Sequence, residues 1–174
     1  CDSHRVEISL LGCYTSGRIY VYEITQPELV DSNKVTMAHE LLHAAWERMR
    51  NRDHQNIAEL LEQVKIKNSA WFDEELALYS DSDKIEEAWA RAGTKLADLS
   101  DELEAYYREY FNNRQTIVSY YEHYQAPFLA LREKNENLYN KIIATRDEVV
   151  LEKESYLNKV ASLDRQIGDF NDCA

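Results

Sequence analysis

The sequence predicts a mainly helical α+β fold, in which a small N-terminal β-hairpin lies at the edge of a helical body and a long helix follows near the C-terminus. Four glycines and two prolines in 174 residues are too few for a β-sandwich, which needs turn residues about every 8 to 12 positions. Apolar residues instead recur at helical spacing along most of the chain. Hydrophobic residues make up 44% and charged residues 30% of the sequence, which is typical of a folded globular chain.

The first predicted element is a β-hairpin. Residues 5–14 and 18–24 are rich in β-branched and aromatic side chains, and Thr15-Ser16-Gly17 lies between them. Such a short polar segment with a glycine is typical of a turn between two paired strands. We therefore expect both segments to form one antiparallel pair.

Helices are predicted after the hairpin over residues 35–50, 53–64, 71–79, from the polar segment 81–83 to Gly93, and 101–124. The oxygens of residues 31–33 can cap the first helix, and Ser100 can cap the last, which also carries acidic residues in its first turn. Gly93 is expected at the C′ position that ends its helix. Pro127 is expected to interrupt the helix that begins at residue 101.

A long uninterrupted helix is predicted from Phe128 to Ile167. Apolar pairs recur in it every seven residues, at Ile142/Ile143, Val149/Val150 and Tyr156/Leu157. A seven-residue stripe keeps one face of a helix toward a partner helix, although Arg146 and Lys153 lie within this stripe. The favoured interpretation is a helical hairpin in which this helix packs antiparallel on residues 101–124, and the alternative is a surface for a dimer or another protein.

The charge of the chain excludes some classes of function. With 20 basic and 32 acidic residues the formal net charge is −12, so the surface repels phosphate backbones and anionic lipids. We therefore expect no nucleic-acid partner. No stretch approaches the roughly 18 apolar residues that a membrane-crossing helix needs.

The first predicted helix carries the chemically informative residues, in the segment His39-Glu40-Leu41-Leu42-His43. The two histidines are four positions apart, so both imidazoles leave one face of a helix about one turn apart and can bind one Zn²⁺. Glu40 lies beside them and can accept a proton from water at the metal. The flanking residues 37, 38, 41, 42, 44 and 45 are uncharged, which favours a buried helix with a metal as the partner of its polar side chains.

The segment from Thr36 to Ala45 resembles the extended HExxH signature of the zincin metallopeptidases. The wider arrangement, GCYTSGRIYVYEI followed by this helix, is similar to a group of bacterial zinc peptidases. The resemblance implies that the strand at 20–24 is an edge strand that pairs with extended substrate. Trp46 and Met49 stand where the metzincin branch requires Gly and His, which leaves a gluzincin-like glutamate from a later helix as third ligand.

Glu87 is the favoured third metal ligand. Small residues follow it at 88, 90, 92 and 93 and allow its helix to approach the histidine helix closely. The order E-A-W-A-R-A-G-T also resembles the bacterial group, in which a glutamate lies six residues before a Gly-Thr pair, and differs from the Asn-Glu-x-x-Ser-Asp form of thermolysin-like enzymes. Glu75, Glu86 and His54 remain as alternatives.

Donors for a developing oxyanion are expected in the segment YYREYFNNR. Tyr107, Tyr110 and Arg114 lie at i, i+3 and i+7, so one helix face could direct a hydroxyl or guanidinium group to the reaction centre. The alternative is that these residues only pack in the core.

The predicted function is that of a zinc-dependent metallopeptidase, a hydrolase that cleaves peptide bonds in a peptide or protein substrate. His39, His43 and Glu87 would bind Zn²⁺ and Glu40 would be the general base. Residues 1–125 are expected to form the zincin-like domain, and residues 126–174 a long helix that packs on it or extends as a coiled coil. The alternative function is a helical interaction module with a structural or inactive zinc site, whose long helix binds a protein partner or a second copy.

The three cysteines bear on the compartment. Cys1 and Cys13 could form a disulfide in an oxidising compartment, which would leave Cys173 without a partner in the chain. Because the sequence begins with Cys1, it is interpreted as a segment of a longer product. Together with the resemblance, these cysteines favour an extracytoplasmic location, either secreted or anchored to a membrane through other segments.

Overall fold

The protein is mainly helical, as predicted, in a computed structural model that describes residues 11–172. Its elements are β1 (Gly12–Thr15), β2 (Arg18–Val21), α1 (Asp31–Arg48), α2 (Asn51–Lys67), α3 (Ser69–Leu76), α4 (Lys84–Lys95), α5 (Asp101–Tyr107) and α6 (Arg114–Asp172). The chain divides into two compact units, the first ending at Ala126 and the second beginning at Pro127. Among the described helices, none combines the length and the apolar character required to cross a bilayer.

The predicted hairpin is confirmed, with shorter strands than the sequence indicates. β1 and β2 pair antiparallel with Cys13 opposite Tyr20. Ser16 and Gly17 connect them with φ angles of 52° and 74°, which is the left-handed backbone that two-residue hairpin turns require. Residues 5–10 of the predicted first strand lie outside the described residues.

Helix α1 begins earlier than predicted, at Asp31. The side chain of Asn33, expected to cap the helix, instead accepts a hydrogen bond from the backbone N–H of Ile24 at 2.9 Å and donates one to the Ile24 carbonyl at 2.8 Å. Asn33 therefore ties the segment that follows the hairpin to the first turn of α1.

The core of the first unit is centred on Trp89 of α4, which is completely buried. Its indole N–H donates to the carbonyl of Leu42 on α1 at 3.3 Å, and its ring stacks on Tyr107 of α5 with 4.1 Å between centroids. The hydroxyl of Tyr107 in turn donates to the Trp89 carbonyl at 2.8 Å. Trp89 thus joins three helices through both packing and hydrogen bonds, and α1 packs most extensively against α4.

Gly93 was expected to end its helix, and this expectation is wrong, because Gly93 lies inside α4. A Cβ atom added at this position would lie 2.7 Å from Cδ1 of Leu42 and would also overlap the ring of Tyr107. The glycine is therefore needed for close packing, where α1 and α5 meet α4, and not for a change of chain direction.

The helix predicted over residues 101–124 is two helices. Ser100 caps α5 as expected, since its hydroxyl accepts from the backbone N–H of Leu103 at 3.3 Å. However, α5 ends at Tyr107, and α6 begins at Arg114 after a turn. Arg114 is buried and its guanidinium bonds to the carbonyls of Leu96 and Ala97. These contacts bring the chain back toward the end of α4, which one straight helix could not do.

The break expected at Pro127 is also wrong, because α6 continues through it. A proline inside a helix loses one backbone hydrogen bond and usually kinks the helix. Here Pro127 is exposed, so water can bind the carbonyl that loses its partner. The described part of the second unit, residues 127–172, lies within this one helix, and its packing on residues 101–124 stays a prediction.

We predict that Gly93→Ala destabilises the first unit by about 1–3 kcal/mol, because a methyl group overfills a packed core. Gly168→Ala is the matched control: a Cβ atom there meets nothing within 4 Å, and alanine is a better helix former than glycine. Urea unfolding followed by tryptophan fluorescence reports on the first unit, which contains all three tryptophans. Equal midpoints for Gly93→Ala and the unmodified chain would contradict the packing role.

Candidate metal centre

His39, His43 and Glu87 come together where α1 packs against α4, and they form a group that could hold a metal ion. The Nε2 atoms of the two histidines are 3.0 Å apart. The carboxylate of Glu87 lies 3.5 Å from Nε2 of His43 and 3.7 Å from Nε2 of His39. The Glu87 side chain is only 3% exposed, whereas those of His39 and His43 are 18% and 12% exposed. The group therefore opens toward solvent on the histidine side.

The spacing of the three donor atoms fits one small divalent ion. Tetrahedral zinc with bonds of about 2.0–2.1 Å holds neighbouring donors about 3.4 Å apart. The two Nε2 atoms are 3.0 Å apart, and they lie 3.5 and 3.7 Å from different oxygens of the Glu87 carboxylate. With one donor atom from each residue, all three atoms lie within 4.8 Å of one another. Two imidazole nitrogens and one carboxylate oxygen are also a donor set that suits zinc and other first-row metals.

Glu86 orients one of the two imidazoles. Its carboxylate lies 2.6 Å from Nδ1 of His43, on the side of the ring away from Nε2. A neutral imidazole that donates from Nδ1 to a carboxylate presents the lone pair of Nε2 to a metal, which is the usual arrangement around metal-binding histidines. Glu86 and Glu87 are neighbours in the first turn of α4 and act on opposite sides of one ring.

The electrostatic environment of His43 favours a positive charge. Burial by itself lowers the pKa of His43, but the hydrogen bond to Glu86 and the charges of Glu87, Glu86 and Glu40 outweigh burial and raise it. Negative charges that favour a bound proton also favour a metal cation, and the two compete for the same nitrogen.

Glu40 follows His39 in α1 and lies close to the hairpin. It is 7% exposed, and its charge acts on His43. Gly12 of β1 approaches it closely, because a Cβ atom added at Gly12 would lie 3.3 Å from Cγ of Glu40 and 2.9 Å from the carbonyl oxygen of Tyr20. The hairpin therefore covers α1 beside the metal group and limits where the Glu40 carboxylate can lie.

Arg91 supports Glu87 from the next turn of α4. Its Nε donates to Glu87 at 3.3 Å, one terminal nitrogen donates to Glu75 of α3, and the other donates to the Tyr79 hydroxyl at 2.8 Å. Lys95 also donates to Glu75, at 2.7 Å. The Glu87 carboxylate is thus held by an arginine that also bonds to Glu75 and Tyr79.

The pKa values in this network follow from its charge balance. Burial raises the pKa of Glu75, but the charges and hydrogen bonds of Lys95 and Arg91 outweigh burial and lower it. Burial and the positive charge of Arg91 lower the pKa of Lys95, in spite of its attraction to Glu75. The Glu75 carboxylate therefore pairs with both Arg91 and Lys95.

On the side of α6, burial raises the pKa of Tyr121 to about 12.

Two of the three predicted oxyanion donors are not available for that role, and this prediction is corrected. Tyr107 is completely buried and gives its hydroxyl proton to Trp89. Arg114 is 4% exposed and bonds to Glu104 and to backbone carbonyls. Tyr110 is partly buried, with its ring edge-on to Trp89 at 6.5 Å, and its catalytic role stays a prediction.

The alternatives for the third ligand have other partners. Glu75 pairs with Arg91 and Lys95. His54 stacks on Trp46 at 4.1 Å, and its Nε2 lies 2.9 Å from the Trp46 carbonyl. Glu86 lies at Nδ1 of His43, as described above. Of the four candidates, Glu87 is the one that joins both histidines in the group.

Sequence reasoning missed the supporting residues Arg91, Tyr79 and Lys95, and it considered Glu86 and Glu75 only as ligands. One signal was present for Arg91, which lies four residues after Glu87 and so on the same face of a helix. No signal in the sequence indicates that Glu75 or Tyr79 bonds to Arg91, because these contacts join residues of α3 and the turn after it to α4.

Comparison of the chain with known protein families, with curated proteins and with solved structures found no match.

We predict that Glu87 contributes more than its neighbour Glu86 to the affinity of the site for zinc. Glu87→Gln removes a charged donor and should weaken zinc binding more than Glu86→Gln, which removes only the partner of His43 and should cost about 10- to 100-fold. The measurement is a competition titration of zinc against a chromophoric chelator at pH 7.5. Glu136→Gln in the second unit is the control and should bind zinc as the unmodified chain does. An equal affinity for all three variants would contradict this site.

We also predict a contribution of Glu75 to acid stability. Because its folded pKa is lowered below the ordinary 4.5, the stabilisation is present above pH 4.5 and is lost as the pH falls through the folded value. Glu75→Gln should lower the free energy of unfolding by about 2–3 kcal/mol at pH 7 and flatten its fall below pH 4.5. Chelator-treated protein and urea titrations from pH 3 to 7 test this, with the exposed neighbour Glu74→Gln as control. If Glu75→Gln leaves the slope of the free energy of unfolding against pH unchanged below pH 4.5, the predicted contribution of Glu75 is wrong.

Proposed function

We propose that this chain is a zinc-dependent metallopeptidase. The observation that carries the proposal is the convergence of His39 Nε2, His43 Nε2 and the Glu87 carboxylate within 3.0 to 3.7 Å, with the buried Glu40 on the same helix beside them. The resemblance of the segment around these residues to the zincin signature supports the same reaction.

The number and type of donors favour a catalytic metal site over a structural one. Structural zinc sites usually have four protein ligands, rich in cysteine, whereas catalytic sites have three and keep one position open. Among residues 11–172 the group offers two imidazoles and one carboxylate, and its histidines are partly exposed. A peptide could therefore reach this side of the group.

In peptide hydrolysis, Glu40, Glu86 and Arg91 would each have a separate role. When bound, zinc supplies Lewis acidity, which lowers the pKa of water to about 7 and polarises a carbonyl group. A carboxylate oxygen of Glu40 accepts the proton of the attacking water and later delivers it to the nitrogen of the leaving amine. Glu86 keeps the His43 ring in the tautomer that binds through Nε2, and Arg91 keeps the Glu87 carboxylate directed at the histidines.

The second candidate function is a helical interaction module with a structural or inactive metal site. It is favoured by the exposed apolar residues of α6, including Ile142, Val149 and Leu163. Metal content and peptide cleavage separate the two functions. Bound zinc with chelator-sensitive cleavage of a peptide library supports the peptidase, and bound iron or a fully inert zinc protein contradicts it.

An extracytoplasmic location is part of the proposal. Cys13 is disulfide-bonded, and disulfides persist in oxidising compartments and are rare in the cytosol. Retention of this bond in protein isolated from the native cell would support the location.

We predict that Glu40→Gln keeps zinc bound and lowers the rate of peptide cleavage by about 10²- to 10⁴-fold, the usual contribution of a general base. The measurements are zinc content by mass spectrometry and initial rates on the best peptide of the library. Glu47→Gln is the matched control, because Glu47 lies on the same helix and pairs with Tyr14. Cleavage by Glu40→Gln at the unmodified rate would eliminate this mechanism.

A further inference from the structure

The part of α6 in the second unit carries an apolar stripe that is interrupted by Asn135, Thr145 and Lys153. Its large apolar side chains are 37 to 76% exposed at ten positions: Phe128, Leu131, Leu138, Ile142, Val149, Tyr156, Val160, Leu163, Ile167 and Phe170. Exposed apolar surface of this extent on a helix is typical of a surface that another protein covers.

The spacing of these residues is that of a coiled coil. Together with Asn135 and Thr145 they follow alternating steps of three and four residues from Phe128 to Val149, and together with Lys153 they do so again from Lys153 to Phe170. Two consecutive steps of four join the halves, from Thr145 to Val149 and from Val149 to Lys153, which is a stutter that locally unwinds a supercoil. In coiled-coil terms the a positions hold Phe128, Asn135, Ile142, Val149, Lys153, Val160 and Ile167, and the d positions hold Leu131, Leu138, Thr145, Tyr156, Leu163 and Phe170.

We propose that this face is covered by the same face of a second copy of the chain, in a parallel, in-register, two-stranded coiled coil. β-Branched residues at a together with leucine at d favour two parallel strands. Ile142, Val149, Val160 and Ile167 occupy a positions, and Leu131, Leu138 and Leu163 occupy d positions.

Asn135 selects the parallel register. At a single a position, asparagine fixes register and oligomer state because it pairs with the same residue of the other helix. In an antiparallel pair centred on the same segment, Asn135 would face apolar residues near the other end of the partner helix and lose a hydrogen-bond partner. Only the parallel, in-register pair places Asn135 beside Asn135 of the second copy.

The apolar area is sufficient for a stable dimer. Ten large side chains that each expose on the order of 100 Å², about half of a typical large side chain, would remove roughly 1,000 Å² per copy from water. A pair would then bury about 2,000 Å², at the upper end of standard specific interfaces.

The charges of this face partly favour and partly oppose the arrangement, and among those that oppose it Lys153 at an a position lies beside Lys153 of the second copy. In a parallel pair a g residue lies near the e residue five positions later in the other helix. Lys159 then meets Asp164, an attractive pair, and Lys141 meets Arg146, a repulsive one. The Arg146 guanidinium already bonds to Asp147 at 2.8 Å, which reduces that repulsion.

The first test is the mass of the full chain in solution by sedimentation equilibrium. We expect a dimer at micromolar concentration, and a dissociation constant raised at least about 100-fold in Ile142→Asp, which places a charge in the apolar seam. Asn140→Asp puts the same charge two residues away on the outer face and should leave the dimer unchanged. A monomer at 100 μM, or equal effects of the two variants, overturns the proposal.

The second test is the register. In a Cys173→Ser background, Leu138→Cys should form a disulfide between the two copies under mild oxidation, and peptide mapping should join position 138 to position 138. Asn140→Cys, on the outer face, should cross-link far more slowly. Equal cross-linking at both positions, or a dimer by mass that forms no bond at 138, contradicts the parallel, in-register arrangement. Neither outcome bears on zinc binding or peptide cleavage, which depend on residues of the first unit.

Discussion

The close packing of α4 on α1 is the constraint on which the rest of the first unit depends. It brings a carboxylate from one helix within 3.7 Å of two imidazoles from the other, and this is possible only because the contact face of α4 consists of small residues around one large anchor. Ala90 and Ala92 are completely buried, Gly93 has no room for a methyl group, and Trp89 bonds to the Leu42 carbonyl of α1. A bulkier residue in this face would separate the three side chains of the group that could hold a metal ion.

The same helix pair explains how so many charged groups can be tolerated near a core. A carboxylate that faces two histidines is costly to bury unless opposite charge and hydrogen bonds balance it. Arg91 provides that balance for Glu87, and Glu75 provides it for Arg91 and Lys95. Without a metal, Glu87 is attracted to the histidines and held by Arg91, so the donor group is organised in advance and little rearrangement is required for an ion to bind.

Residues close together in the sequence were sufficient to predict some structural features correctly, but not others. Ser100 caps α5 as predicted, since capping depends on residues within one turn. Gly93, Tyr107 and Arg114 were misread, because each was interpreted by its position along the chain. Their roles are set by neighbours that are distant in sequence: Leu42 for Gly93, Trp89 for Tyr107, and the carbonyls at the end of α4 for Arg114. Pro127 was misread for another reason, since an exposed helix can solvate the carbonyl that proline leaves without a partner.

By itself the sequence determined the fold class, the hairpin, the seven-residue stripe and the histidine pair, because each follows from periodicity or spacing within one element. The small residues that follow Glu87 and the resemblance of its segment to the bacterial group also placed it first among the candidate ligands. Only the tertiary structure decided that Glu87 faces both histidines and that Glu86 contacts Nδ1 of His43. The two glutamates are adjacent in sequence, so the rotation of α4 about its own axis determines which of them faces the histidine pair. The orienting carboxylate, the arginine behind the third ligand and the burial of two expected catalytic residues all follow from helix packing, a long-range property that spacing along one element does not encode.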